Sequence, residues 1–293
     1  MSELRKAYDR YIEEKGRWVS ERLAGKYMVN QESRYVHPFR IFGNVWYVGD
    51  SWVCVHLIDT GDGLLLIDSG NCGATAMLVQ AIWEAGFNPA DVKWLVLSHG
   101  HFDHIGGALF FRRMFGTKIY LGEPDARAFR EKPELSLIHV AGDPALELFE
   151  PDCEINDGDV ISFGKTEIQF YLVPGHTEGC IAAFFDVTDA SRTVRAGYYG
   201  GFGFNTLQKA FLDDIGDTVH ETRNIYLNSL AKVRNEKVEL FLGNHCGNND
   251  TLGRMQKLLA GDSDAFIDSK CWGEFLDKKR DELIALMADP AQN

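Results

Sequence analysis

The stretch "WLVLSHGHFDHIGG", residues 94–107, holds an apolar run that stops at Ser98. His99, His101, Asp103 and His104 follow at once, and Gly106 and Gly107 close the stretch. The whole chain has nine histidines, so three of them within six positions is a concentration that calls for a reason. A short apolar run bounded by polar residues reads as a buried strand. Polar residues just past the carboxyl end of such a strand stand where layered α/β folds put their ligand sites. In an extended turn alternate residues face the same way, so His99 and His101 can grip one ion. Asp103 and His104 open the next helix and face a second. Imidazole and carboxylate donors suit zinc and also accept iron or manganese. The two glycines let that helix pack close to the strand ends.

Working outward, "LVPGHTEGC" (172–180) and "LFLGNHC" (240–246) each end an apolar run in a histidine beside glycine. His176 and His245 thus repeat the setting of His99, and three strand ends together supply donors for two metals. Before the central motif, "FRIFGNVWYVGDSWVCVHLIDTGDGLLLIDSG" (39–70) alternates β-rich runs with Gly/Asp turns and predicts an antiparallel meander of three strands. Residues 74–87 predict a helix, 93–99 a strand, 105–116 a helix closed by Gly116, 118–124 a strand, and 123–131 the start of a short helix. Residues 131–150, with His139, have mixed signals and are expected to form a long loop or lid. The opening theme returns at 156–176 as strand, turn, strand. Strands are expected at 180–187, 192–202 and 238–245, and helices at 217–235 and 264–288. Residues 3–24 have helical apolar spacing with a charged opposite face. No Pro/Ser linker divides the halves, so residues 1–293 are expected to form one domain, with the 1–24 helix packed on it. The fold class is α/β: two mixed β-sheets face to face with helices outside, a four-layer αβ/βα sandwich.

Composition narrows the function. The chain carries 30 basic and 43 acidic residues, a net charge of −13, which disfavours phosphate backbones and anionic lipid. A small-molecule substrate is expected, with no nucleic acid and no membrane partner; the oligomeric state is not legible. The first residues are charged and lack the apolar core of a signal peptide, so a cytoplasmic location is expected. The six cysteines are scattered without a CxxC pair and read as buried free thiols. No GxSxG motif and no obvious cysteine nucleophile is present, so ions must carry the chemistry.

The pattern resembles the metallo-β-lactamase superfamily over nearly the whole chain, through "GLLLIDSG" (63–70), "SHGHFDH" (98–104), "PGHTEGC" (174–180) and "GNH" (243–245). The resemblance implies one metal held by His99, His101 and His176 and a second by Asp103, His104 and His245, both zinc. Asp68 would orient the ligand loop. Most members carry an aspartate bridging the metals, but "RTVRAGYYGGFGFNT" (192–206) offers Gly200 and Gly201 and no carboxylate. The third subclass of metallo-β-lactamases lacks it too and uses these same six ligands, so the chain is most similar to that subclass. Its members usually place serines where Gly201 and Gly203 stand here. By the same resemblance Cys271 is expected free, because its usual partner position holds Val238 and Glu239, and Cys246 is expected in the pocket wall.

The implied function is a zinc-dependent hydrolase in which metal-bound hydroxide attacks the C=O of a lactam, amide, lactone or ester, with Asp103 as the catalytic carboxylate holding the nucleophile in line. β-Lactamase activity is included. The alternative is a glyoxalase II-like thioesterase or lactonase, against which the missing aspartate counts. An iron-dependent redox enzyme is disfavoured by His101, which is a glutamate in the diiron flavoprotein branch. A non-catalytic binding protein would have lost ligands, and none is lost. Trp52, Tyr198, Tyr199 and Gly201 are the expected substrate-side residues, and Glu178 a solvated turn residue.

Overall fold

The computed structural model describes residues 31–138 and 147–292. The helix expected at 3–24 and His139 lie outside the described residues.

Seven strands form the first sheet: β1 (Phe39–Phe42), β2 (Val45–Tyr47), β3 (His56–Asp59), β4 (Leu64–Ile67), β5 (Val92–Val96), β6 (Lys118–Gly122) and β7 (Cys153–Ile155). They lie side by side in chain order. The first four pair antiparallel and the rest parallel, because helical crossovers replace hairpins after β4. The expected three-stranded meander is four-stranded. Gly43, at φ 51°, turns the chain between β1 and β2 within one apolar-rich run, which hid the hairpin from a reading by periodicity. The second sheet runs β12-β11-β10-β9-β8, with β8 (Val160–Phe163), β9 (Thr166–Leu172), β10 (Ile181–Thr188), β11 (Thr193–Tyr199) and β12 (Leu240–Leu242).

Side-chain alternation decides how the sheets stack. In β4, Leu65 and Ile67 join a core that also takes Ile181, Ala183 and Phe185 of β10, so these faces meet between the sheets. Leu64 and Leu66 point the other way, onto helices α1 (Thr75–Glu84) and α3 (Ala108–Phe115), where Leu78, Ile82 and Phe111 are buried. Ala182 and Phe184 likewise face α6 (Glu221–Val233) and α8 (Cys271–Ala288), against Tyr226, Leu230, Trp272 and Leu276. Apolar residues on both faces of a strand require cover on both sides, and the result is the expected αβ/βα sandwich.

Other elements sharpen the sequence reading. The helix expected over 105–116 is two pieces, α2 (Phe102–Ile105) and α3, parted at Gly106–Gly107. A Cβ on Gly106 would lie 2.2 Å from the backbone of Asn71 and Cys72, so only glycine fits where α2 crosses the loop after β4. Helix α4 (Glu123–Glu131) is as expected, whereas α5 (Lys209–Asp214) and α7 (Thr251–Leu259) were not anticipated. The six cysteines form no disulfide, Cys271 among them. Among the described residues no helix is long and apolar enough to cross a membrane.

Candidate metal centre

Every proposed ligand stands just beyond a strand end: His99 and His101 in the loop after β5, Asp103 and His104 on α2 that follows it, His176 after β9, and His245 after β12. The register of the two sheets brings these ends to one edge of the sandwich. His99, His101 and His176 form one cluster, with donor atoms within 4.8 Å of one another and ring centroids 4.5–4.8 Å apart. The second set closes as a triangle. His104 Nε2 lies 3.3 Å from His245 Nε2, and each lies 3.5 Å from Asp103 Oδ2. Three donors of a tetrahedral ion at about 2.0–2.1 Å stand about 3.3–3.4 Å apart, so the triangle has the size a zinc-like ion needs.

The outer ring nitrogens show which lone pairs point inward. Nδ1 of His176 donates to the Gly203 carbonyl at 2.8 Å, and Nδ1 of His245 donates to the Trp52 carbonyl at 3.2 Å. A carbonyl can only accept, so both protons sit on Nδ1 and each Nε2 presents a lone pair. Nδ1 of His104 is 2.7 Å from Asp68 Oδ2, and Nδ1 of His99 is 3.0 Å from Ser98 Oγ. His101 is held by the Leu135 backbone and turns Nδ1 to 2.9 Å from His176 Nε2. Nε2 of His99 is buried with no hydrogen-bond partner. Converging lone pairs and an orphaned buried nitrogen call for a cation, so the donor set fits metal.

Electrostatics agree. Burial, reinforced by neighbouring imidazoles, pushes the His99 and His101 pKa values well down, and burial takes His176 and His245 down to about 4. These rings are therefore neutral and ready to ligate at pH 7. Burial lowers His104 too, but the carboxylates of Asp103 and Asp68 outweigh it and raise its pKa. Positive charge is favoured at that point, as a proton or as a metal.

Asp68 sits at φ 65°, and its side chain joins three elements. Oδ1 accepts from the Ser98 backbone N–H at 2.7 Å, and Oδ2 accepts from His104 and from Tyr198 Oη at 2.5 Å. Tyr198 is therefore no substrate contact: its hydroxyl is spent on Asp68 and its ring is buried between the sheets. Tyr199 is not one either, since it is fully buried on the helix side and stacks on Phe202 at 4.3 Å. Both corrections follow from strand alternation, which sends neighbouring tyrosines to opposite faces and leaves neither for the cleft. Gly201, at φ 92°, is buried against His176, where a Cβ would come within 2.7 Å of the ring. It is there because the ring packs on the backbone. Trp52 does reach the centre, with its ring 5.4 Å from that of His245. Cys246 faces away, towards the Tyr47 hydroxyl at 3.1 Å and Cys54 Sγ at 3.9 Å. Glu178 is exposed as expected.

One important residue escaped the sequence reading. Asp125, in the first turn of α4, is buried and accepts from the Gly100 N–H at 2.7 Å, the Thr177 hydroxyl at 2.8 Å and the Gly179 N–H at 2.8 Å. It ties the His99–His101 loop to the His176 loop. Burial raises its pKa to about 6, while the three donors hold it down. An acidic residue in a first helical turn is ordinary, so sequence offered no signal beyond the helix start.

The chain is similar to known proteins in sequence and fold. The family model of the metallo-beta-lactamase superfamily matches residues 53–245. The hydroxyacylglutathione hydrolase GloC of Haemophilus influenzae is 30% identical over 152 residues, 51% of this chain and 68% of that protein. Among solved structures, BJP-1 of Bradyrhizobium japonicum, a subclass B3 metallo-beta-lactamase, superposes with TM-score 0.78 at 22% identity, covering 91% of this chain and 97% of the other. The metallo-beta-lactamase FEZ-1 of Legionella gormanii does so with TM-score 0.75 at 26% identity, covering 87% and 96%. Fold, clustered donors and matched residues together place the chain in the metallo-beta-lactamase superfamily, as a metal-dependent hydrolase.

Proposed function

We propose that His99, His101 and His176 hold one zinc ion, that Asp103, His104 and His245 hold a second, and that a single domain hydrolyses a small carbonyl compound at this centre. The observation that carries the reading is the inward set of lone pairs, with outer nitrogens fixed by backbone carbonyls, Ser98 and Asp68. Such ions supply Lewis acidity and lower the pKa of water towards neutrality. The chain's own residues set the geometry. Asp103, with 11% of its side chain exposed, is the carboxylate among the proposed ligands and would hold the attacking water in line. Asp68 and Tyr198 keep His104 in one orientation, and Trp52 walls the His245 side. In the reaction the water oxygen bonds to the carbonyl carbon, the bond to nitrogen, oxygen or sulfur breaks, and the leaving atom departs with a proton.

Lactam, amide, lactone and ester are the first substrate classes, supported by the six-ligand set without a bridging aspartate. The thioester reading draws support from the hydroxyacylglutathione hydrolase relative and from Gly201, whose packing against His176 leaves no room for a carboxylate-binding side chain. Elemental analysis followed by nitrocefin, lactone and thioester assays on one zinc-loaded sample tests both. Two zinc ions per chain and chelator-sensitive turnover are expected, and turnover unchanged by complete metal removal would sink the proposal. Asp103→Ala is expected to lower kcat by about 100-fold or more at unchanged circular dichroism; wild-type kcat would remove Asp103 from the mechanism.

A further inference from the structure

A groove of about 350 Å³ runs away from the rings of His101 and His176, which form one end of its lining. One wall is Pro124 and Phe129 of α4 with Leu135; the other is Phe211 and Ile215 of α5 and its C-terminus with Ile225 of α6. Ile215 and Ile225 are 40% and 38% exposed, so α5 and α6 present branched aliphatic side chains to a wet cleft instead of the core. That placement is costly for a surface unless something apolar covers it. The groove's volume is in the range of small-molecule sites. Its charges are matched among themselves. Arg127 lies 3.0 Å from Glu123 and 3.5 Å from Glu178, and the Asp125 carboxylate accepts three hydrogen bonds. Among the described lining residues no cation is left over for an anionic group, and the net charge of −13 repels one.

We propose that this groove receives an uncharged apolar acyl or aryl group attached to the reacting carbonyl, so that the preferred substrates are medium-chain acyl esters, thioesters or amides and not compounds with a carboxylate beside the carbonyl. The proposal rests on the hydrolase reading for its reaction and on the groove for its selectivity. His101 and His176, two of the three histidines proposed for the first metal, line the groove, so an apolar group attached to a carbonyl at that metal can extend into it. The α5 helix supplies the selectivity, since Phe211 lies on it, Ile215 caps its end and Leu212 anchors it in the core.

The test uses zinc-loaded full-length protein and two readouts. In the first, kcat/KM is compared for acetyl, butyryl and octanoyl thioesters and 4-nitrophenyl esters, with a half-ester of octanedioic acid as the charged control. A fully buried methylene contributes roughly fourfold, and acetyl to octanoyl adds six; with about half of them buried in the groove, a rise on the order of 100-fold is expected, lost when the chain ends in carboxylate. Ile225→Asp and Phe211→Ala are each expected to collapse the octanoyl-to-acetyl ratio by about tenfold or more. In the second, octanamide is expected to raise the thermal midpoint where acetamide does not, with the effect lost in Ile225→Asp. This readout needs no turnover: octanamide stabilisation without hydrolysis of any substrate keeps the groove and rejects the hydrolase reading. A flat chain-length profile with no octanamide effect overturns the groove proposal, as does an octanamide effect undiminished in Ile225→Asp. A dimer in sedimentation with the groove closed to octanamide would overturn it in favour of a second copy of the chain.

Discussion

Asp68 shows how much one side chain decides. Its left-handed backbone suits aspartate and asparagine and strains most other residues, so Asp68→Asn preserves the conformation while removing the charge. The amide cannot accept from Ser98, His104 and Tyr198 as the carboxylate does. Zinc affinity, measured by competition with a chelating dye, is expected to fall about 10–100-fold with the fold intact. The histidines predict a pH dependence for the metal-free protein. His176 and His245 have folded-state pKa values of about 4, below the ordinary 6.5, and His99 and His101 are lowered as well. As pH falls from 6.5 to 4 the unfolded chain therefore binds protons that the folded chain refuses, and stability declines. His104 is raised and Asp125 is raised to about 6, and both work in the opposite direction, two groups against four rings. The effect is moderated because His245 leaves 27% of its side chain in solvent. Urea midpoints of the chelated protein are expected to drop steadily from pH 7 to pH 4.5; a flat profile would mean that these rings titrate normally.

At the scale of elements, the loop of His99 and His101 and the loop of His176 meet through α4. Asp125→Ala strips the Gly100 and Gly179 N–H groups and the Thr177 hydroxyl of their buried acceptor. A loss of about 2–4 kcal/mol is expected from calorimetry, with one zinc lost more readily than the other; retention of both at wild-type affinity would show that the loops hold themselves. The element boundaries also show what sequence could reveal. Strand ends with histidines were legible because apolar runs and donors share the same few residues. The β1–β2 hairpin, the break between α2 and α3, and α5 were not. A hairpin hidden in one apolar run, a glycine needed by a distant loop, and a six-residue helix all depend on contacts far away in sequence. Asp125 was illegible for the same reason, as its three donors lie 25 to 54 positions away. Tyr198 and Tyr199 were misread because nearness to the ligands in sequence was taken for access, and β11 alternation buries both.

At the scale of the molecule, the centre spans two sheets that also meet through apolar packing and through hydrogen bonds such as Tyr198 to Asp68 and His56 to the Gly243 carbonyl. His99, His101, Asp103 and His104 belong to the first sheet, and His176 and His245 to the second. Ions bound across that seam stabilise the folded state by mass action, so the thermal midpoint is expected to fall by several degrees on chelation and to recover with zinc in a concentration-dependent way. A midpoint indifferent to chelator would argue that the sheets do not share a metal. The four-layer order was legible because both faces of β4 and β10 are apolar. The groove was not, since it arises from α4 on one side and α5 and α6 on the other, far apart in the chain. Gly106 has a consequence for heredity. Any codon change that adds a side chain there drives α2 off the loop that carries Asp68, with no ligand altered. In a library of random variants this position would score as intolerant as the histidines themselves, and a lineage could lose the enzyme through a residue that never touches metal or substrate.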